Sequence, residues 1–131
     1  MSQPNVEILR KVYDAPADDR IETLMRAATD DFVWISDPRM PGGGTYRGKD
    51  AARRYLTQMA IFDESTLVVD DLIDLGDDRV LGMTTIRAAP ADGPAVEWVW
   101  CHLVTINDGL ISEARSFIDR ESAIEAAGLS E

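Results

Sequence analysis

The segment AVEWVWCHLVTINDGLISEARSFID, residues 95–119, reads as two long strands around a tight turn, and that reading decides the fold. Asn107-Asp108-Gly109 accepts the positive φ that a short hairpin demands, and β-branched and aromatic residues flank it on both sides. The same pattern runs upstream. TLVVDDLIDLG (66–76) and RVLGMTTIRAA (79–89) are separated by Asp77-Asp78, and PADGP (90–94) leads into the opening segment. Four consecutive strands joined by tight turns predict an antiparallel meander.

The preceding half is helical. Val6, Leu9, Val12 and Tyr13 recur at helical spacing after Pro4, which is tolerated in a first turn. DAPADD (14–19) interrupts them, and Asp19 with Glu22 resembles a capping box for a second helix bearing Ile21, Leu24, Met25 and Ala28. FVWIS (32–36) is a short strand, and DPRMPGGGTYRG (37–48) reads as loop because Pro and Gly oppose regular structure. Ala52, Tyr55, Leu56 and Met59 then mark a third amphipathic helix reaching Phe62. At the far end Asp119 is an N-cap and Gly128 a stop for a short closing helix. Segregated helices and strands predict an α+β class, with the helices on one face of a curved sheet.

The 131 residues fit one domain, 1–131, with a single core. Thirteen basic against twenty-four acidic side chains give a net charge of −11, which disfavours nucleic acid and anionic membrane surfaces. A single cysteine, Cys101, forbids an intramolecular disulfide and suits a reducing compartment. The N-terminus lacks a signal-peptide pattern and no long apolar run occurs, so a cytoplasmic location is expected.

Strand residues two apart face the same side. Trp98, Trp100, His102, Val104 and Ile106 therefore form one wall, and Val99, Cys101, Leu103 and Thr105 the other. Both walls are largely apolar, so each must meet packing rather than solvent.

The element order, with DDFVWISDP (30–38), GGGTYRGKDAARRYL (42–56) and NDGLISEARSFIDRESAIEAAGL (107–129), resembles the SnoaL-like branch of the nuclear-transport-factor-two-like superfamily. The resemblance spans nearly the whole chain. It implies a cone-shaped α+β barrel, a curved mixed or antiparallel sheet on three N-terminal helices, and a deep apolar pocket, usually in a homodimer formed through the sheet. Ketosteroid isomerase, limonene epoxide hydrolase, polyketide cyclases and dehydratases share that fold with proteins of no known activity, so fold alone does not fix function.

The resemblance points the even-numbered wall inward. His102 then falls where ketosteroid isomerase keeps a protonated aspartic acid to bind an oxyanion, and a histidine there donates similarly or acts as a base. A structural histidine satisfied by a nearby carbonyl is the competing reading. Asp37 resembles the proton-shuttling aspartate at the end of that enzyme's first strand. Shifting the register by one residue places Ser36 inward instead, and Asp before Pro is also a common turn opener. Tyr13 lies near the position of an oxyanion-binding tyrosine, yet its spacing equally suits the core. Trp34, Tyr55, Met59, Phe62, Trp98 and Trp100 suit the walls of a site for a flat apolar ligand or a plain core.

Ser116 occupies the position where epoxide hydrolase and the polyketide cyclases place a key aspartate, and Gly82 and Thr84 align with the hydrolase's arginine and second aspartate. The Asp-Arg-Asp arrangement is thus missing, which excludes epoxide hydrolysis by that route and speaks against the aldol cyclase. Cys101 lacks the adjacent base that a nucleophilic thiol needs, and Gly42-Gly43-Gly44 lacks the context of a phosphate loop. One histidine and scattered carboxylates make no metal site, and no cofactor is expected. The expected activity is binding of a small apolar cyclic metabolite, with isomerase, dehydratase or cyclase chemistry by acid-base proton transfer. The alternative is a non-catalytic ligand-binding or dimeric assembly module.

Overall fold

The computed structural model describes residues 3–40, 42–59, 65–88 and 93–129. Helices α1 (Gln3–Asp14), α2 (Arg20–Ala27) and α3 (Lys49–Met59) pack on one face of a six-stranded sheet. The sheet comprises β1 (Ala28–Ser36), β2 (Gly44–Arg47), β3 (Ser65–Asp74), β4 (Arg79–Ala88), β5 (Val96–Asn107) and β6 (Leu110–Phe117), and α4 (Arg120–Ala126) follows it. Strand order is β2-β1-β6-β5-β4-β3, open at both edges and mixed, because β1 runs parallel to β6 while the other pairs are antiparallel. This is the expected α+β cone.

The meander follows local chemistry. At the β5–β6 hairpin Asp108 and Gly109 adopt φ of 52° and 81°, the left-handed pair that short hairpins require. Asp119 caps α4 by accepting the Ser122 N–H at 2.8 Å, and Gly128, at φ 78°, lets the Leu129 N–H return to the Ile124 carbonyl at 3.0 Å.

Three expectations change. Asp19 precedes α2 but makes no side-chain cap bond, and Glu22 instead accepts from Arg53 Nε at 2.9 Å, tying α2 to α3. Ala28 opens β1 rather than ending the helix, so β1 is longer than residues 32–36 suggest. The loop read over 37–48 contains β2, in which Tyr46 pairs opposite Trp34. Pro and Gly confine the turn to its first half, and Thr45 and Tyr46 have the strand preference to pair along the edge of β1. The final turn of the third helix through Phe62, and most of the turn at 90–94, lie outside the described residues.

Alternation partitions the core. Val104 and Ile106 of β5 join Leu9, Tyr13, Met25, Phe32, Trp34 and Ile111 between the helices and the sheet. On the reverse side Cys101, Leu81, Met83 and Phe117 pack beneath Ala123 and Ala127 at the closing helix. The second apolar wall is therefore covered within the chain around Cys101. Among the described residues no helix is long and apolar enough to cross a membrane.

Candidate functional site

A cavity of about 170 Å³ lies between α1, α2 and the inner face of the sheet. Its walls include Leu9, Val12, Leu24, Trp34, Leu56 and Ile111, all buried, together with Trp98, Trp100, His102 and Val104 along β5. Ala17 is exposed and Arg20, Ile21, Leu67, Trp98 and Trp100 are half-buried, so the mouth lies on their side. Among the described residues no Asp or Glu lines it.

His102 is 5% exposed, and its Nδ1 lies 2.8 Å from the Tyr13 hydroxyl. The contact is made by the core stripe of α1 reaching across to the inward parity of β5. Burial pushes the Tyr13 phenol well above its ordinary range and lowers His102 from 6.5 to about 3. Both groups are consequently neutral near pH 7. When the phenol donates to Nδ1 the imidazole proton sits on Nε2, and in that tautomer the Nε2–H is left for another partner. Trp100 and Trp34 surround the imidazole, with ring centroids 4.6 and 5.7 Å away.

Gly82 makes this geometry available. It stands opposite His102 in the β4–β5 register, and a Cβ there would collide with the Tyr13 hydroxyl and ring. A glycine inside a strand often marks such a close approach.

The other expected residues divide. Trp34, Trp98 and Trp100 line the cavity together with Tyr13 and His102. Ser36 and Tyr55 are buried and share a hydroxyl–hydroxyl hydrogen bond of 2.5 Å, and Tyr55 stacks on Tyr46 at 4.3 Å, but neither Ser36 nor Tyr55 lines the cavity. Thr84 donates to the Trp100 carbonyl at 2.6 Å, and Ser116 accepts the Asp37 N–H at 3.2 Å. Both hydroxyls serve the sheet rather than the cavity wall. Met59 ends α3 with its side chain undescribed, and Phe62 lies outside the described residues.

Asp37 is not brought to His102. Its carboxylate accepts from Arg39 Nε and Nη2 at 3.0 and 2.6 Å and from the Ile118 N–H at 3.2 Å, while Arg39 also reaches Asp119 at 2.5 Å. The Arg39 hydrogen bonds hold Asp37 down at about 2, so it is an ionised clasp between the end of β1 and the cap of α4. Neither Ser36 nor Asp37 lines the cavity: Ser36 is bonded to Tyr55 of α3, and the Asp37 carboxylate is taken up by Arg39 and the Ile118 N–H. Cys101 is buried and its thiol is pushed up by burial, opposite to what a nucleophile needs. Among the described residues no group of three or more His, Cys, Asp or Glu side chains is placed to hold a metal.

Arg20 and Gly82 were not anticipated as site residues. Arg20 precedes Leu24 by four positions, a spacing that shares a helix face and so carries a faint signal for its place at the mouth. Gly82 carries none beyond being a glycine within a strand.

The fold and cavity define a class that the comparisons identify. The SnoaL-like domain model matches residues 9–114, and the chain belongs to that family. A nuclear-transport-factor-two-like protein of unknown function from Burkholderia pseudomallei is 20% identical, covering 94% of this chain and 96% of its own, with a TM-score of 0.77. TerC, co-crystallised with polyporic acid, is 22% identical over 96% and 99% of the two chains, with a TM-score of 0.76. A putative SnoaL-like polyketide cyclase from Jannaschia is 21% identical over 98% and 94%, with a TM-score of 0.71. At these identities the likeness is one of fold. No curated protein is significantly similar in sequence.

Proposed function

We propose that the chain binds a small apolar cyclic metabolite bearing a carbonyl or hydroxyl oxygen, and that the Tyr13–His102 pair holds that oxygen. The observation that carries this is the 2.8 Å hydrogen bond between two buried neutral groups in a tryptophan-walled cavity. Because Tyr13 occupies Nδ1, a ligand oxygen would meet an Nε2–H donor of fixed orientation. A volume of about 170 Å³ also bounds the ligand. A cavity of roughly 150 Å³ accommodates benzene, so this one suits a single ring with a small substituent. Neighbours whose names pair this fold with polyporic acid and with polyketide cyclisation support a small-molecule site.

The cofactor-free chemistry such a donor assists is enolisation, as in an isomerisation, dehydration or cyclisation. In that step a water molecule entering from the mouth takes the carbon-bound proton, the C–H electron pair becomes the enolate, and the neutral imidazole donates a hydrogen bond to the oxygen on which the charge gathers. One observation favours a second, non-catalytic reading. Among the described residues the cavity wall has no carboxylate, which leaves only an imidazole with a pKa of about 3, a weak base near neutrality. The same proposal includes a homodimer through the outer sheet face, where Val99 and Leu103 are partly exposed beside α4, testable by sedimentation.

Calorimetric titration with phenol and cyclohex-2-enone tests binding, with Tyr13→Phe and His102→Gln expected to weaken both ligands by about tenfold. No binding, or equal binding by the variants, overturns the assignment. Accelerated exchange of the enone's α-protons into deuterated water supports catalysis, whereas binding without acceleration selects the non-catalytic reading.

A further inference from the structure

Four buried side-chain polar atoms lack a hydrogen-bond partner among the described residues, and three belong to residues that line the cavity: Arg20 Nε, Trp34 Nε1 and Trp100 Nε1. All three are donors that cannot accept. Buried polar groups in folded proteins are overwhelmingly paired, and an unpaired one costs free energy. The three residues surround one cavity, and because each of these atoms is closed to a water-sized probe while the cavity is empty, an acceptor reaches them only when a side chain turns.

Arg20 adds a charge. Its Nη2 donates to the Ala15 carbonyl at 3.0 Å, which pins the guanidinium beneath the α1–α2 connection, while no carboxylate of the described residues pairs with it. Burial lowers its pKa, as expected for a cation drawn partly from water without a counter-charge, although a guanidinium stays protonated at any working pH. The acidic surface does not attract anions over long range, so selection for one must come from this local fork. A guanidinium matches the planar geometry of a carboxylate better than an ammonium does.

We propose that the cavity takes a cyclic carboxylate, with its ring beside Trp34 and Trp100 and its carboxylate on Arg20 at the mouth. This rests on the ligand-binding proposal and adds the charge of the ligand and the end by which it is held. The polar order would be acidic group at the entrance, apolar ring in the middle, and ring oxygen at the Tyr13–His102 pair. Neutral rings of the same shape would leave Arg20 without its partner, so the site discriminates by charge as well as by size.

Calorimetric titration of the full chain with benzoate and with benzamide, nearly identical in shape, is the test. The wild-type chain is expected to bind benzoate at least about tenfold more tightly, as a charge-assisted bidentate contact should give. Arg20→Gln should abolish the preference by bringing benzoate affinity down to that of benzamide, and Arg20→Lys, which keeps charge but loses the fork, should retain part of it. Circular dichroism of each variant reports its folding. Should Arg20→Gln fail to fold, the wild-type ratio and Arg20→Lys still decide. Equal affinities in the wild-type chain, or a preference unchanged in Arg20→Gln, overturns the carboxylate assignment but leaves the ring site standing. Absence of binding by benzoate, benzamide and phenol alike overturns the ligand-binding proposal and this one with it.

Discussion

Acidification from pH 7 to 4.5 protonates the histidine of the unfolded chain but leaves His102 neutral in the folded one. The folded pKa, about 3, is depressed below the ordinary 6.5 because the imidazole is buried. For a base depressed in this way, its contribution to stability is complete above 6.5 and is lost as pH falls from there toward 3. At pH 4.5 the unfolded chain is two units below the free histidine value, which amounts to about 3 kcal/mol of lost stability. Urea denaturation of the wild-type chain and of His102→Gln across this range isolates the effect. Carboxylates titrate in both proteins and cancel in the difference, whereas glutamine does not titrate. The wild-type stability minus that of the variant should fall by about 3 kcal/mol between pH 7 and 4.5. Parallel curves would mean that His102 protonates in the folded chain near its free value, and the neutral pair with Tyr13 would be refuted.

Two further outcomes follow from the same geometry. Gly82→Ala places a methyl group against the Tyr13 hydroxyl and ring, so it should cost about 1–3 kcal/mol by overpacking and should weaken phenol binding along with stability. Asp37→Asn should cost about 1–2 kcal/mol at pH 7, because half-exposed Arg39 is partly screened, and should leave phenol binding unchanged. The Asp37 contribution is present above its unfolded value of 3.8 and is lost as pH falls through about 2, so the variant and the wild-type chain should converge in stability at strongly acid pH. A loss of ligand binding in Asp37→Asn would return that carboxylate to the site.

Local chemistry made most of the fold legible. The β5–β6 hairpin follows from Asn107-Asp108-Gly109, and period-two alternation separates Trp98, Trp100 and His102 from Cys101 without any tertiary information. What alternation cannot show is pairing between distant segments. The parallel contact of β1 with β6 brings Trp34 beside Ala114, and β2 depends on an edge that exists only once β1 has formed. The site was half legible for the same reason. Alternation shows locally which residues share a wall with His102 and the resemblance turns that wall inward, whereas its partner is eighty-nine positions away on α1, and Gly82 and Arg20 acquire meaning only from what approaches them. Asp37 stayed open between two readings because Asp-Pro has the same spelling in a turn opener, a salt-bridged clasp and a catalytic base. Only Arg39 and the Ile118 N–H distinguish them.

Because the chain has a single histidine, ¹⁵N-histidine labelling gives one imidazole whose nitrogens can be observed directly. That spectrum, recorded from pH 8 to 4.5 with and without phenol, tests most directly whether a buried neutral imidazole serves a ligand oxygen. The expected result is an Nε2–H tautomer at every pH, with Nδ1 showing the shift of an acceptor and the Nε2 proton moving when phenol binds. A resonance that titrates near 6.5, or an Nε2–H signal that phenol leaves unmoved at saturation, would contradict the account.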